Sequence, residues 1–145
     1  MEFLLTIGEY KMQTFLPYPN FEKSAKVLDN KRLGKQRVEA FQILNIILNR
    51  TKTKGWRNHP AVKMWKGHPN ALKSYFNCCL NEWISRGFNN NMGFEVIRGK
   101  VKNPTLIGKK KFHDSHRSNL LRKDKKYYSQ FGWKVGDGLE YCWPK

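Results

Sequence analysis

The apolar residues of the segment Pro69–Arg86 recur with a period that fits an α-helix and no strand. Leu72, Phe76, Cys79, Leu80 and Trp83 stand at i, i+4, i+7, i+8 and i+11, which puts them on one stripe of a helix surface. Pro69 suits the first helical position, and Gly87 suits the C-terminal cap. A stripe of this kind has to be covered, and the rest of the chain offers further helices to cover it. Val38, Phe41, Leu44, Ile47 and Leu48 predict a second long helix over about Lys31–Asn49, weakened near its start by Gly34. Asn20 is a plausible N-cap for a short helix Phe21–Leu28. Another short one, Ala61–Trp65, follows His59-Pro60. His113–Lys123 reads as helical, with a further turn over Lys125–Phe131 ended by Gly132. Between these lie an irregular first nineteen residues stiffened by Pro17 and Pro19, a polar connector Arg50–Gly55, and a long Gly-, Asn- and Lys-rich loop, Asn89–Lys111, of a length that marks functional loops. There is no repeat and no interdomain linker. The expectation is an all-α, single compact domain of three to five helices with long connecting loops.

Charge decides what such a domain meets. Lys and Arg number 28 against 11 Asp and Glu, a net charge of +17 in 145 residues. An imbalance of that size destabilises the compact state by self-repulsion, so a polyanionic partner is expected, and nucleic acid is the commonest. The basic residues are spread along the chain and form no single amphipathic block, which argues against a membrane surface. No run reaches the roughly 18–20 apolar residues that span a bilayer. The apolar opening Phe3–Ile7 is short and lacks a basic leader, so it does not read as a signal peptide and an intracellular protein is expected. Cys78, Cys79 and Cys142 are odd in number and contain no CxxC, which argues against a disulfide framework or a zinc site. His113 and His116 are spaced as a helical metal pair could be, but lack neighbouring Cys or carboxylate ligands. No metal and no cofactor are expected.

Two constellations carry chemistry. Arg32, Lys35, Gln36 and Glu39 lie at i, i+3, i+4 and i+7 of the second helix and share a face. A carboxylate among Arg32, Lys35 and Arg37, on a surface that must approach phosphate, repels its partner unless it has work to do, and general acid–base catalysis is such work. The bland alternative is that Glu39 pairs with Lys35, a contact worth about 0.2–0.5 kcal/mol. Near the C-terminus, His113, His116, Arg117, Arg122, Lys123, Lys125 and Lys126 precede Tyr127, Tyr128, Phe131 and Trp133. Cations hold phosphates and rings stack on exposed bases or wedge a base step. The same rings could instead close the core.

These residues sit in words that resemble a known family. Met12-Gln13-Thr14-Phe15, the run Leu28–Glu39, Gly55–Val62 with its His59-Pro60, Trp65-Lys66-Gly67-His68, Arg86-Gly87-Phe88, Phe112–Asp124, and Tyr127-Tyr128 leading to Phe131-Gly132 occur in order. Together they resemble the pyrimidine-dimer DNA glycosylases of the phage endonuclease V type, in particular a longer bacterial branch, over about nine-tenths of the chain. The resemblance implies a compact helical monomer acting on damaged double-stranded DNA, which it kinks to flip out a nucleotide at a cost of about a few kcal/mol. In such enzymes the chain's own α-amine, whose pKa lies near 7.7–8.0, attacks C1′ of the damaged nucleotide and forms a Schiff base. A glutamate then assists sugar opening and β-elimination. On that resemblance Glu39 is the glutamate, and the amine of Met12 is the nucleophile. Arg32 falls near the lesion and Arg122 near a phosphate. With Lys35, Gln36, His59, His116, Arg117 and Lys126 they make up the expected DNA-contacting set. The departure is Met1–Lys11, which precedes Met12. The expectation is that residues 1–11 are an extension, either not native or removed, before a glycosylase-like domain 12–145. Lys35 is the alternative nucleophile. Three readings stay open: a dimer-specific glycosylase with abasic-site lyase activity, the same chemistry on a different base, and a DNA-bending protein without catalysis.

Overall fold

A computed structural model describes residues 12–52, 55 and 57–144. Residues 1–11, expected to be an extension, and residues 53, 54, 56 and 145 lie outside them. Six α-helices make up the fold of the described residues: α1 (Phe21–Val27), α2 (Asn30–Ile47), α3 (Pro60–Trp65), α4 (Pro69–Ser85), α5 (Lys110–Lys123) and the single turn α6 (Lys125–Tyr128), followed by a 3-10 turn, Ser129–Phe131. The domain is all-α.

The ends of these helices follow from local chemistry. The Asn20 side chain accepts from the Lys23 N–H at 2.8 Å and caps α1. Asp29 does the same for α2 through the Arg32 N–H at 3.2 Å. His59 Nδ1 accepts from the Ala61 N–H at 3.0 Å and starts α3, with Pro60 at the first helical position. Pro69 opens α4, and Gly87, at φ +90°, turns the chain away after it.

Packing is organised around α4. It lies against α1 and α2, and Ala71, Leu72, Tyr75, Phe76, Cys79 and Leu80 are its fully buried residues. From α2 the buried set is Leu33, Gln36, Ala40, Ile43, Leu44 and Ile46. Val38 was expected in that stripe, but it is 41% exposed. At 3.6 residues per turn it points about 200° away from Gln36 and from Ala40, so burying them turns Val38 outward. Phe41 is half-buried against Phe76, ring centroids 5.6 Å apart. Gly34 has a packing role: a Cβ there would stand 3.0 Å from the Trp83 ring, so the absent side chain lets α2 and α4 close on each other. Arg37 lies with its guanidinium 4.3 Å from the centre of that indole, away from the face carrying Glu39.

The long loop is irregular from Phe88 to Lys109, apart from a turn at 105–108, but it is tied down. Asn77 bonds both ways with the Glu95 backbone, Asn70 donates to the carbonyls of Arg98 and Lys100, and Lys73 donates to Val96 O. Polar side chains along α4 thus supply the partners that a strand neighbour would give.

Candidate active site

Residues 12–16 enter the molecule without helix or strand, and side chains satisfy their backbone. The Gln13 N–H donates to Glu39 Oε1 at 3.2 Å. Gln36, one turn before Glu39 on α2, donates through Nε2 to Gln13 O at 2.5 Å and to Glu39 Oε1 at 3.4 Å. Its Oε1 accepts from the Phe15 N–H at 2.8 Å. The Tyr75 hydroxyl lies 2.8 Å from Phe15 O and 2.5 Å from Gln36 Oε1. Trp65 Nε1 donates to Thr14 Oγ1 at 2.9 Å. The peptide groups of Leu16 meet two histidines of α5: His116 Nδ1 accepts its N–H at 3.0 Å, and His113 Nδ1 meets its carbonyl at 2.7 Å.

This arrangement corrects one expected DNA contact. The His116 ring is fully buried among Phe15, Phe112, Tyr141 and Trp143. Burial and the neighbouring His113 push its pKa down to about 3, so it is neutral and cannot act as a phosphate-binding cation. It serves the fold as an acceptor for the entering segment. Gln36, 1% exposed, spends its whole carboxamide on the protein and lines the site from below.

Above Gln36 and Glu39 opens a cleft of about 200 Å³ lined by Phe15, Lys31, Arg32, Lys35, Gln36, Glu39 and Lys123. Four cations surround one carboxyl. Lys31, Arg32 and Lys35 come from the first turns of α2, and Lys123 comes from the last turn of α5. Arg32 is held by Asp29 at 3.1 Å. Asp29 in turn receives a short hydrogen bond from the buried Tyr128 hydroxyl. Burial raises the Asp29 pKa, but the bonds from Tyr128 and Arg32 outweigh it, and the carboxyl sits below its ordinary range.

Glu39 behaves differently. Burial dominates and lifts its pKa from 4.5 to about 7, against the opposing pull of the Gln13 N–H and of Lys35 and Lys123. Its hydrogen-bond partners are Gln13 and Gln36, and Lys35 acts on it through charge. Near neutral pH this carboxyl is populated in both forms, which suits a group that gives and takes a proton in one cycle. Tyr141, from the C-terminal segment, also faces this region: it meets the Gln13 side chain, and burial pushes its pKa up to about 12.

The other expected contacts are dispersed. Met12 is 6% exposed and packs in the core cluster directly before Gln13. His59 caps α3. Arg117 is half-buried, donates to Pro17 O at 2.7 Å and to Asp114 at 3.1 Å, and lies over the Tyr18 ring. Arg122 is exposed, with its guanidinium on Asn119 and on the carbonyls of Asp137 and Leu139. Lys126 is exposed on α6. Lys31, Lys123 and Tyr141 were missed as site residues. Lys123 stood in the C-terminal basic run, but nothing in the sequence brings α5 across to α2.

An all-α domain of net charge +17, with a cationic cleft around a carboxyl poised near neutrality, has the make-up of an enzyme acting on DNA. The pyrimidine dimer DNA glycosylase family model matches residues 12–96, more than half of the chain, and the chain belongs to that family. No curated protein and no solved structure matches it. The match takes in α1 to α4, with Glu39 and the segment that holds it. Among the described residues no helix is long and apolar enough to cross a membrane.

Proposed function

We propose that this glycosylase also cuts the strand at the site it empties, through a Schiff base formed by the α-amine of a chain beginning at Met12, with Glu39 as the acid–base group. The observation that carries the reading is the hydrogen bond from the Gln13 N–H to the raised-pKa Glu39 carboxyl at the floor of the cationic cleft. Consecutive Cα atoms are about 3.8 Å apart, so a free amine on Met12 belongs to the same neighbourhood. The family match likewise begins at Met12.

The amine lone pair forms a bond to C1′ as the C1′–N bond breaks; the electron pair of the broken bond leaves with the base, which takes up the proton that the new ammonium gives off. Protonated Glu39 gives its proton to the ring oxygen, O4′, as the sugar opens and the imine forms. As carboxylate it then takes a proton from C2′, and the C3′–O3′ bond breaks with the phosphate leaving. Water hydrolyses the imine and returns the amine. Lys31, Arg32, Lys35 and Lys123 meet phosphates flanking the flipped nucleotide, with Arg122 and Lys126 further along the duplex. Residues 1–11 in this reading precede the catalytic unit.

The test uses a chain starting at Met12, ultraviolet-irradiated and abasic duplexes, and borohydride. A covalent adduct mapped to the Met12 amine, with strand cleavage lost in Glu39→Gln and binding retained, is the expected result. An adduct on Lys35 would move the nucleophile to that side chain, which also lines the cleft. DNA binding without cleavage of either duplex would leave a DNA-bending protein.

A further inference from the structure

Residues 13–16 lie in no sheet among the described residues, yet nearly every polar group of their backbone that faces inward has a side-chain partner. The central partner is one carboxamide. Gln36 engages Gln13 O with its N–H and the Phe15 N–H with its carbonyl, much as a neighbouring strand would. Its second N–H reaches Glu39. All four bonds of a buried amide are thereby used, with Tyr75 holding the remaining carbonyl lone pair. A solvent-facing role needs none of this, and a purely packing role would be filled by Leu or Met at lower desolvation cost.

Accepting that the Met12 amine and Glu39 act together, we propose that Gln36 is the positioning residue that fixes the distance between them. It grips the backbone one residue beyond the amine with the same nitrogen that touches the carboxyl, so that the two reacting groups share one reference point. Tyr75 locks the rotamer of Gln36 from α4. Trp65 on Thr14, with His113 and His116 on Leu16, stops the segment from sliding along its length. A misplacement of about 1 Å costs on the order of 10²-fold in rate, so the clamp acts on the rate of chemistry and hardly at all on DNA affinity.

The test compares chains starting at Met12 and carrying Gln36→Met, which keeps the length and removes the amide, or Gln36→Glu, which keeps the shape and sets an acceptor against Gln13 O and Glu39. Expected for both is an about 10²-fold slower single-turnover cleavage, and for Gln36→Met, which adds no charge, a parent-like affinity for an abasic duplex. Borohydride trapping should slow in parallel. Ethylamine added to the reaction should restore cleavage above the rate the amine gives alone, because the cleft and Glu39 remain, and it should restore nothing to Glu39→Gln. If either Gln36 variant unfolds, Tyr75→Phe decides, with a loss of up to roughly tenfold in rate from one missing hydrogen bond and the same rescue. Parent-like trapping in a folded Gln36 variant, or no rescue by ethylamine, overturns the positioning role. Parent-like cleavage by Glu39→Gln overturns the acid–base role of Glu39 on which the proposal rests, and cleavage of neither duplex by the parent overturns the enzymatic reading itself, both distinct from a failure of the Gln36 clamp.

Discussion

Glu39→Gln should make the protein more stable at neutral and alkaline pH while removing its chemistry. Folding lifts this carboxyl from 4.5 to about 7, so between those values the native state binds a proton that the unfolded chain releases. A group raised on folding stabilises the native state fully below its unfolded pKa, and that contribution is lost as pH rises through the folded value. At about 1.36 kcal/mol per pH unit, the interval corresponds to at most about 3 kcal/mol of stability that the wild type lacks above pH 7 and has below pH 4.5. Glutamine keeps an oxygen for the Gln13 N–H and never ionises. Denaturant unfolding of both proteins across about pH 4 to 8 should therefore give matching free energies at the acid end and a widening gap, in favour of the variant, towards pH 8. At the alkaline end a gap of about 3 kcal/mol corresponds to a melting temperature higher by roughly 10 °C for a domain of this size. A constant difference over that range would mean that Glu39 titrates as an exposed carboxyl. The argument that burial prepares it for proton transfer would then fail.

Substitutions at four further residues probe the supports of the site and one expected DNA contact. Asp29→Ala removes the cap of α2, the anchor of Arg32 and the acceptor of the buried Tyr128 hydroxyl, and should cost about 2 kcal/mol or more in denaturant unfolding. Because the Asp29 pKa is lowered, the advantage of the wild type over Asp29→Asn is present above the ordinary 3.8 and should fade as acid protonates the native carboxyl. Gly34→Val drives a side chain into the Trp83 ring, 3.0 Å from where a Cβ would stand, and should destabilise by about 1–3 kcal/mol with a change in tryptophan fluorescence. Arg117→Ala should lower the melting temperature, since its guanidinium is bonded to Pro17 and Asp114. Lys126→Ala should leave melting unchanged and reduce the salt slope of DNA binding by about 1.

The fold was legible wherever a single residue's local chemistry decides the backbone. Asn20, Pro60, Pro69, Gly87 and Gly132 punctuate the helices where their capping and φ preferences put them. Burial was less legible, because a helix carries more apolar residues than its buried face has room for. Val38 satisfied the period of the predicted stripe yet lies outside it, and Gln36 occupies the inward place. Gly34 looked like a weakness in α2 because its compensation, the Trp83 ring of α4, lies far along the chain. His116 was placed on the DNA for its residue type, but the same imidazole is an equally good acceptor for a buried peptide N–H.

The candidate site divides in the same way. Its residue types could be read on α2, since Arg32, Lys35, Gln36 and Glu39 share a face, but what makes Glu39 chemically distinct comes from elsewhere in the chain. Segment 12–16 covers it and donates to it, Lys123 arrives from α5, and Tyr141 comes from the C-terminal segment. An exposed carboxylate four residues after a lysine would remain ionised at pH 7 and could only accept protons. The cover that raises its pKa also brings Met12 to its side. On the proposed mechanism, proton affinity and the place for an amine arise from one packing event, and a change that loosens the segment should alter both together.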